Sequence, residues 1–266
     1  VDFSGTVPAG LLWLDDEHYL QVRGGGGSPR GGAQAGAGGS VEWLIVEAST
    51  GKTTTFLDTA KLEAALATLP GVSPSDAKRL ASRRNLLADA SRPNSPLSGF
   101  DGGIGSSLSP SKTALLLRVG DDLYQYDLKT SALVRLTAAP GFEDDPAFSP
   151  DGRMVAFTRD NDLFVVDVAT QRERQLTSDG GPQRLNGRLD WIYQEEVYGR
   201  GSFRAFWWSP DSTRLAFLQL DEQPVPEITL TDHISHRQTL EVFDYPKSGD
   251  PNPLVRLGVV RAAGGA

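Results

Sequence analysis

Three observations predict an all-β fold, a β-propeller. One pattern recurs with a period of 40 residues: Leu108-Ser109-Pro110 opens a stretch that passes through Asp122-Leu123-Tyr124 and Tyr126-Asp127-Leu128 to Leu136-Thr137, and Phe148-Ser149-Pro150-Asp151-Gly152 opens another with the same landmarks at Asp162-Leu163-Phe164, Val166-Asp167-Val168 and Leu176-Thr177. Trp208-Ser209-Pro210-Asp211 opens a third copy. Each copy reads as turn, apolar strand, short turn, alternating strand, turn and polar strand, with Pro and Gly punctuating the turns. Such a unit is one small antiparallel sheet, and stacking sheets radially as blades buries both faces and protects their edges.

Upstream of the clear repeats, Glu42-Trp43-Leu44-Ile45-Val46-Glu47 followed by Ser49-Thr50-Gly51-Lys52 matches the middle of the same unit, so at least one blade precedes them. Gly24 to Gly39 is rich in Gly, Ala and Ser without apolar periodicity and is expected to be a flexible loop between two strands of the first blade. Residues 58–90 show helical spacing at Leu62, Leu66 and Leu69 and again at Leu80, Leu86 and Leu87, with Ser73-Pro74 and Ser75 as start signals. This predicts a helical insertion crossing the propeller rim. The step from Ser149-Pro150 to Ser209-Pro210 is 60 residues, which places an insertion of about half a blade over 186–204. The chain ends at Ala266 inside the strand-like run Leu257-Gly258-Val259-Val260, so the propeller is expected to be incomplete over 1–266. Val1, with no start methionine or leader ahead of it, is expected to be a processed or trimmed end.

The 266 residues are enough for a sizeable core. With 34 acidic against 26 basic residues and a net charge of -8, the surface repels nucleic acid and anionic lipid and suits a cationic ligand better. No apolar run approaches the roughly 20 residues of a membrane-spanning helix. The absence of cysteine excludes disulfides and thiolate metal sites.

The sharpest chemical feature of the insertion is the pair Glu195 and Glu196. Along a strand, neighbouring side chains point to opposite faces; on a helical turn they lie about 100° apart and can converge on one cation. Tyr193-Gln194-Glu195-Glu196-Val197 is compatible with a short helix, and two carboxylates flanking an ammonium make charge-assisted hydrogen bonds. On charge alone, a solvated acidic pair is the commoner reading. Other features carry less. The three histidines, His18, His233 and His236, have no partner motif, and His233 and His236 lack a third ligand for a metal. Gly51-Lys52-Thr53 lacks the earlier glycine of a phosphate loop, Val46 standing in its place, and the Gly-rich tract runs into a strand rather than a helix. No G-x-S-x-G turn occurs.

Asp190-Trp191-Ile192-Tyr193-Gln194-Glu195-Glu196-Val197, then Trp207-Trp208-Ser209-Pro210-Asp211 and Leu215-Ala216-Phe217, resembles the signature of the dipeptidyl peptidase IV family. The run from Phe243-Asp244-Tyr245-Pro246-Lys247 to Pro253 resembles the same family. The resemblance implies an eight-bladed propeller capping an α/β-hydrolase domain that is absent from this chain, in a serine exopeptidase that releases X-Pro or X-Ala dipeptides from free N-termini. It assigns binding of the substrate ammonium to Glu195 and Glu196, and departs at Gln194, where relatives often carry a third acid. It also implies an arginine on the propeller side; Arg118, Arg83 and Arg84 are candidates among which no motif chooses. No cofactor and no metal are implied. Expected partners are peptide substrates with a free N-terminus, the C-terminal hydrolase domain and a second copy in a homodimer, and the expected location is periplasmic or secreted, with a cytoplasmic one as the alternative. The Gly/Ala/Arg-rich composition suggests a bacterial source. The rival reading is a non-catalytic propeller for protein or peptide binding, and an inactive member that keeps the two glutamates without its serine is a further one.

Overall fold

The computed structural model describes residues 12–23, 41–82, 106–197, 203–232 and 238–264. Contacts divide the chain into two compact units, the first comprising Val1–Pro93, Ile104–Val119 and Tyr124–Arg135, the second Asn94–Gly103, Gly120–Leu123 and Leu136–Ala266.

In the first unit, β1 (Leu12–Trp13), β2 (His18–Arg23), β3 (Glu42–Glu47) and β4 (Thr53–Leu57) form one antiparallel sheet in sequence order. The segment anticipated as the middle of a blade is β3. The helical insertion is two short helices, α1 (Thr59–Leu66) and α2 (Pro74–Ala81). The Asp58 carboxylate accepts the Ala60 and Lys61 amides at 3.1 Å each, and the Ser73 hydroxyl accepts the Asp76 amide at 3.1 Å, with Pro74 in the first turn where no amide is needed. Leu62, Leu66 and Leu80 are buried in the core of this unit together with Leu20, Trp43, Leu57, Leu115 and Tyr126. Leu86 and Leu87 lie outside the described residues, as does the Gly-rich segment. A second sheet follows: β5 (Ser106–Leu108), β6 (Ala114–Val119), β7 (Asp122–Asp127) and β8 (Leu133–Arg135), again in sequence order.

The second unit holds β9 (Asp144–Phe148), β10 (Met154–Arg159), β11 (Asp162–Asp167) and β12 (Glu173–Gln175) in one sheet, and β13 (Arg184–Asn186), β14 (Phe206–Trp208), β15 (Arg214–Asp221) and β18 (Leu254–Arg261) in another. Between β15 and β18 runs a separate hairpin, β16 (Glu227–Asp232) and β17 (Thr239–Asp244). Ala156, Leu163 and Val165 of the first sheet share an apolar cluster with Phe206, Leu215 and Phe217 of the next. No sheet is closed among the described residues.

The repeat landmarks are hydrogen-bonding devices. The serine hydroxyl of each Ser-Pro turn accepts the amide that opens the following strand, at 3.1 Å for Ser109 with Ala114, 2.9 Å for Ser149 with Met154 and 2.9 Å for Ser209 with Arg214. The Asp127 and Asp167 carboxylates cap their hairpin turns by accepting the amides of Thr130 (2.6 Å) and Thr170 (2.8 Å). The terminal threonines accept inward-facing amides, Leu123 onto Thr137 at 2.8 Å and Leu163 onto Thr177 at 2.9 Å.

A network of buried charges lies within the second unit. Arg159 binds Glu143, and Glu173 at 2.9 Å, and lies over the stacked rings of Phe157 and Phe164, 5.1 and 4.9 Å from their centroids. Glu143 also accepts the Thr137 hydroxyl at 2.6 Å. Burial pushes the Glu143 carboxyl upward, opposed by that hydroxyl and by the guanidinium. Replacing the arginine leaves a buried carboxylate without its cation. Arg159→Leu is therefore expected to cost about 3–5 kcal/mol in urea unfolding, and a loss under 1 kcal/mol would show that the network is not a stabilising one.

Candidate functional site

The insertion is fixed to β15. Along one edge, β15 pairs with β18 from Arg214↔Arg261 to Asp221↔Leu254. The other edge is divided, β14 covering Leu215 to Phe217 and β13 covering Gln219 to Asp221. At Leu218, between them, the chain leaves and returns: the Gly187 amide donates to Leu218 O, the Leu218 amide to Ala205 O and the Ala205 amide to Gly187 O, each at 2.9 Å. Farther out, Arg188 and Arg204 form an antiparallel bridge and the Leu189 amide donates to Phe203 O at 2.7 Å. Gly187 has φ +75°, and a Cβ there would lie 3.3–3.4 Å from Leu163, Phe206 and Thr158. Both facts favour glycine at the exit of the loop.

Beyond this stem, the Asp190 carboxylate accepts the Tyr193 amide at 2.8 Å and its carbonyl accepts the Gln194 amide at 3.1 Å. These bonds start a single π-helical turn, Tyr193–Val197. Where the sequence predicts a short helix, the structure has this wider turn, on which consecutive residues still project in neighbouring directions. Gln194 points inward and is buried, Glu195 is half-buried and Glu196 is exposed. The Trp191 ring lies 5.1 Å from that of Tyr245, fixing the near side of the turn against the segment after β17.

Beside the turn opens a cavity of about 860 Å³, walled by Asp190, Trp191, Leu189, Phe203 and Arg188 from the insertion, by Glu222 after β15, and by Glu227, Val242, Phe243 and Asp244 of the β16–β17 hairpin. Asp190 and Glu222 are only 6% and 7% exposed. Burial, then the charges of Asp190 and Asp244, push the Glu222 carboxyl up to about 7; burial also raises Asp190. Sequence reading missed Glu222 and Asp244. Asp221-Glu222-Gln223 looks like a solvated turn, and nothing local indicates that a hairpin folds back over it.

Arg118 is buried on β6 in the first unit. Arg83, Arg84, His233 and His236 lie outside the described residues. His18 makes a local contact with Asp15 at 2.9 Å, in keeping with a surface role, and Gly51 sits at φ +71° in the turn between β3 and β4, in keeping with a hairpin. Among the described residues, no group of histidines and acids is placed to hold a metal ion, and no helix is long and apolar enough to cross a membrane.

A family model described as "Dipeptidyl peptidase IV (DPP IV) N-terminal region" matches residues 111–266. Among curated proteins, the chain is 36% identical over 140 residues to "Probable dipeptidyl-aminopeptidase B" of Talaromyces marneffei, a match that covers 46% of this chain and 15% of that protein. It is 39% identical over 119 residues to "Probable dipeptidyl peptidase 4" of Aspergillus fumigatus, covering 42% and 15%. Both are fungal, and they lend the expectation of a bacterial source no support. The crystal structure of Porphyromonas gingivalis dipeptidyl peptidase 4 superposes with a TM-score of 0.63 at 24% identity over 96% of this chain and 31% of that one, a likeness of fold. The chain thus spans about 15% of the length of the curated relatives it matches.

Two measurements follow from this geometry. Gly187→Ala should lower stability by about 1–3 kcal/mol, read as a shift in the urea midpoint; an unchanged midpoint would mean the loop exit tolerates a side chain. Between the ordinary carboxylate value of 4.5 and about 7, folded Glu222 holds a proton that the unfolded chain has released. Its contribution to stability is therefore full below 4.5 and is lost as pH rises through about 7. Glu222→Gln should flatten this fall and gain roughly 1–3 kcal/mol at pH 8 relative to the parent; parallel stability-pH curves for the two proteins would refute a buried, proton-holding Glu222.

Proposed function

Because the chain belongs to the dipeptidyl peptidase IV N-terminal region family, we propose that it forms the part of a serine exopeptidase that receives the free N-terminus of a peptide and limits cleavage to the release of dipeptides. The observation that carries this reading is the placement of Glu195 and Glu196 side by side on one turn, held by a stem bonded to β15. A protonated α-amine brings three N–H donors and one positive charge, which two neighbouring carboxylates satisfy with charge-assisted hydrogen bonds. The acidic balance of the chain has the sign that draws such a substrate in.

Holding the amine at a fixed point sets which peptide bond reaches a nucleophile. With the terminal ammonium at Glu195 and Glu196, the second peptide bond is the one presented to the serine of an α/β-hydrolase domain C-terminal to this chain, and the clamp contributes by orientation. Blades arranged as an eight-bladed propeller would exclude folded proteins from that serine and admit extended peptides. The whole protein would act as a homodimer on peptides with Pro or Ala at the second position, outside the cytoplasm, without a cofactor.

The decisive assay is chromophore release from Gly-Pro and Ala-Pro substrates, with free and acetylated N-termini, by the full-length protein and by Glu195→Ala and Glu196→Ala variants. Cleavage confined to free-amine substrates, reduced at least tenfold in either variant, corresponds to about 1.4 kcal/mol of transition-state binding from the clamp. Equal cleavage of acetylated substrates would remove the clamp from the mechanism. A full-length protein that cleaves none of them would instead fit a propeller that binds peptides without catalysis.

A further inference from the structure

The cavity beside the turn has a property that the amine clamp does not use. Five acids line it, Asp179, Asp190, Glu222, Glu227 and Asp244, against two arginines. Both arginines are already engaged. Arg184 lies 3.5 Å from Asp179 and 3.3 Å from Asp221, while Arg188 pairs with Asp144 and sits 5.0 Å over the Phe203 ring. Their ion pairs are with Asp179, Asp221 and Asp144, not with Asp190, Glu222 or Asp244. Glu222 is more than nine-tenths buried, and its carboxyl is acted on by burial and by the like charges of Asp190 and Asp244. Its backbone is fixed, the amide donating to Gln183 O and the carbonyl accepting the Val225 amide, each at 2.8 Å. Oδ1 of Asp244 is buried without a hydrogen-bond partner among the described residues. A buried carboxylate oxygen without a partner, such as Asp244 Oδ1, is costly unless a proton or a cation joins it, and the cavity it lines with Glu222 gives a cation access.

We infer that the cavity is a second cation-binding site, in which an alkylamine or guanidinium group sits among Asp190, Glu222 and Asp244. An organic cation fits better than a metal ion, since these acids are not gathered closely enough to coordinate one. The volume of about 860 Å³ accommodates an alkyl body as well as a charged head, and Leu189, Trp191, Phe203 and Phe243 supply apolar walls for it. Neither Glu195 nor Glu196 lines this cavity, so the site does not rest on the amine clamp. The cation binds the ionised form of Glu222. Binding therefore releases a proton and strengthens as pH rises, with the like charges of Asp190, Asp244 and Glu227 facing the same space and Arg184 and Arg188 held by their own acids.

The test is isothermal titration of the full chain with 1,5-diaminopentane and, separately, with Nα-acetyl-arginine amide, whose blocked amine cannot use the Glu195–Glu196 pair. At pH 8 in about 0.15 M salt, at least one probe should bind with a dissociation constant below about 1 mM. Binding should weaken at least tenfold in Glu222→Gln and in Asp244→Asn, persist in Glu195→Ala, and be about tenfold weaker at pH 6. Binding of the diamine alone identifies a free polyamine as the ligand class; binding of the blocked arginine identifies a peptide side chain. Circular dichroism of each variant confirms folding, and Asp244→Asn carries the test if Glu222→Gln misfolds. The proposal is overturned if neither probe binds up to about 10 mM, if both folded cavity variants bind as the parent does, or if Glu195→Ala alone abolishes binding.

Discussion

Leu218 gives both of its backbone groups to the chain that leaves and re-enters the sheet beside it, and the placement of Glu195 and Glu196 depends on that arrangement. A strand has one amide and one carbonyl per residue to offer, and an excursion in mid-edge normally leaves some of them unpaired. Here Gly187 takes the carbonyl of Leu218 and Ala205 takes its amide, and the two also bond to each other. The excursion therefore starts from a closed hydrogen-bond ring, and the bridge of Arg188 with Arg204 and the bond from Leu189 to Phe203 extend it outward in register. Asp190 then ends the stem and begins the π turn with one side chain. Sheet, stem, cap and turn form a chain of local bonds that runs from β15 to the two carboxylates.

The acids of this chain fall into two classes that composition cannot separate. Those at turns are surrounded by donors: Asp127, Asp167 and Asp211 accept amides and hydroxyls, which hold their carboxyls low, Asp211 at about 2. Their charge is absorbed by the backbone they cap. Glu222 and Asp190 are burdened by burial instead, and their carboxyls move the other way. The same side-chain chemistry thus serves as structural punctuation in one place and as stored electrostatic demand in another. Burial decides which: Asp190 also accepts backbone amides, yet loss of water raises its carboxyl.

What the sequence made legible was whatever local bonding determines. The Ser-Pro turns, the capping aspartates and the closing threonines recur at fixed spacing because each satisfies a backbone group a few residues away, so repetition of the residue reports repetition of the bond. The cap Ser73 marks the start of α2 for the same reason. The interruption of the period between Ser149-Pro150 and Ser209-Pro210 is visible in the sequence, whereas the bonds of Gly187 and Ala205 to Leu218 are not. Three further things were not legible. A π turn differs from an α turn by one residue of winding, for which Tyr193-Gln194-Glu195-Glu196-Val197 has no distinguishing pattern. The Glu143–Arg159–Glu173 network joins charges from separate turns and strands of one sheet. The cavity joins Asp190 to Glu222 and Asp244 across the length of β15 and the β16–β17 hairpin, and each of these residues by itself reads as ordinary surface.

The single crossing point at Leu218 also has a consequence for change over evolutionary time. Because the loop departs and returns at one position of β15, neither β13 nor β14 registers how many residues lie between Gly187 and Ala205. For a flexible segment, the entropy of closing such a loop grows only logarithmically, about 0.6 kcal/mol for each doubling of length. A change of length between Gly187 and Ala205 therefore leaves the pairings of β13, β14 and β18 with β15 in place, so the sheet does not constrain how long the excursion is.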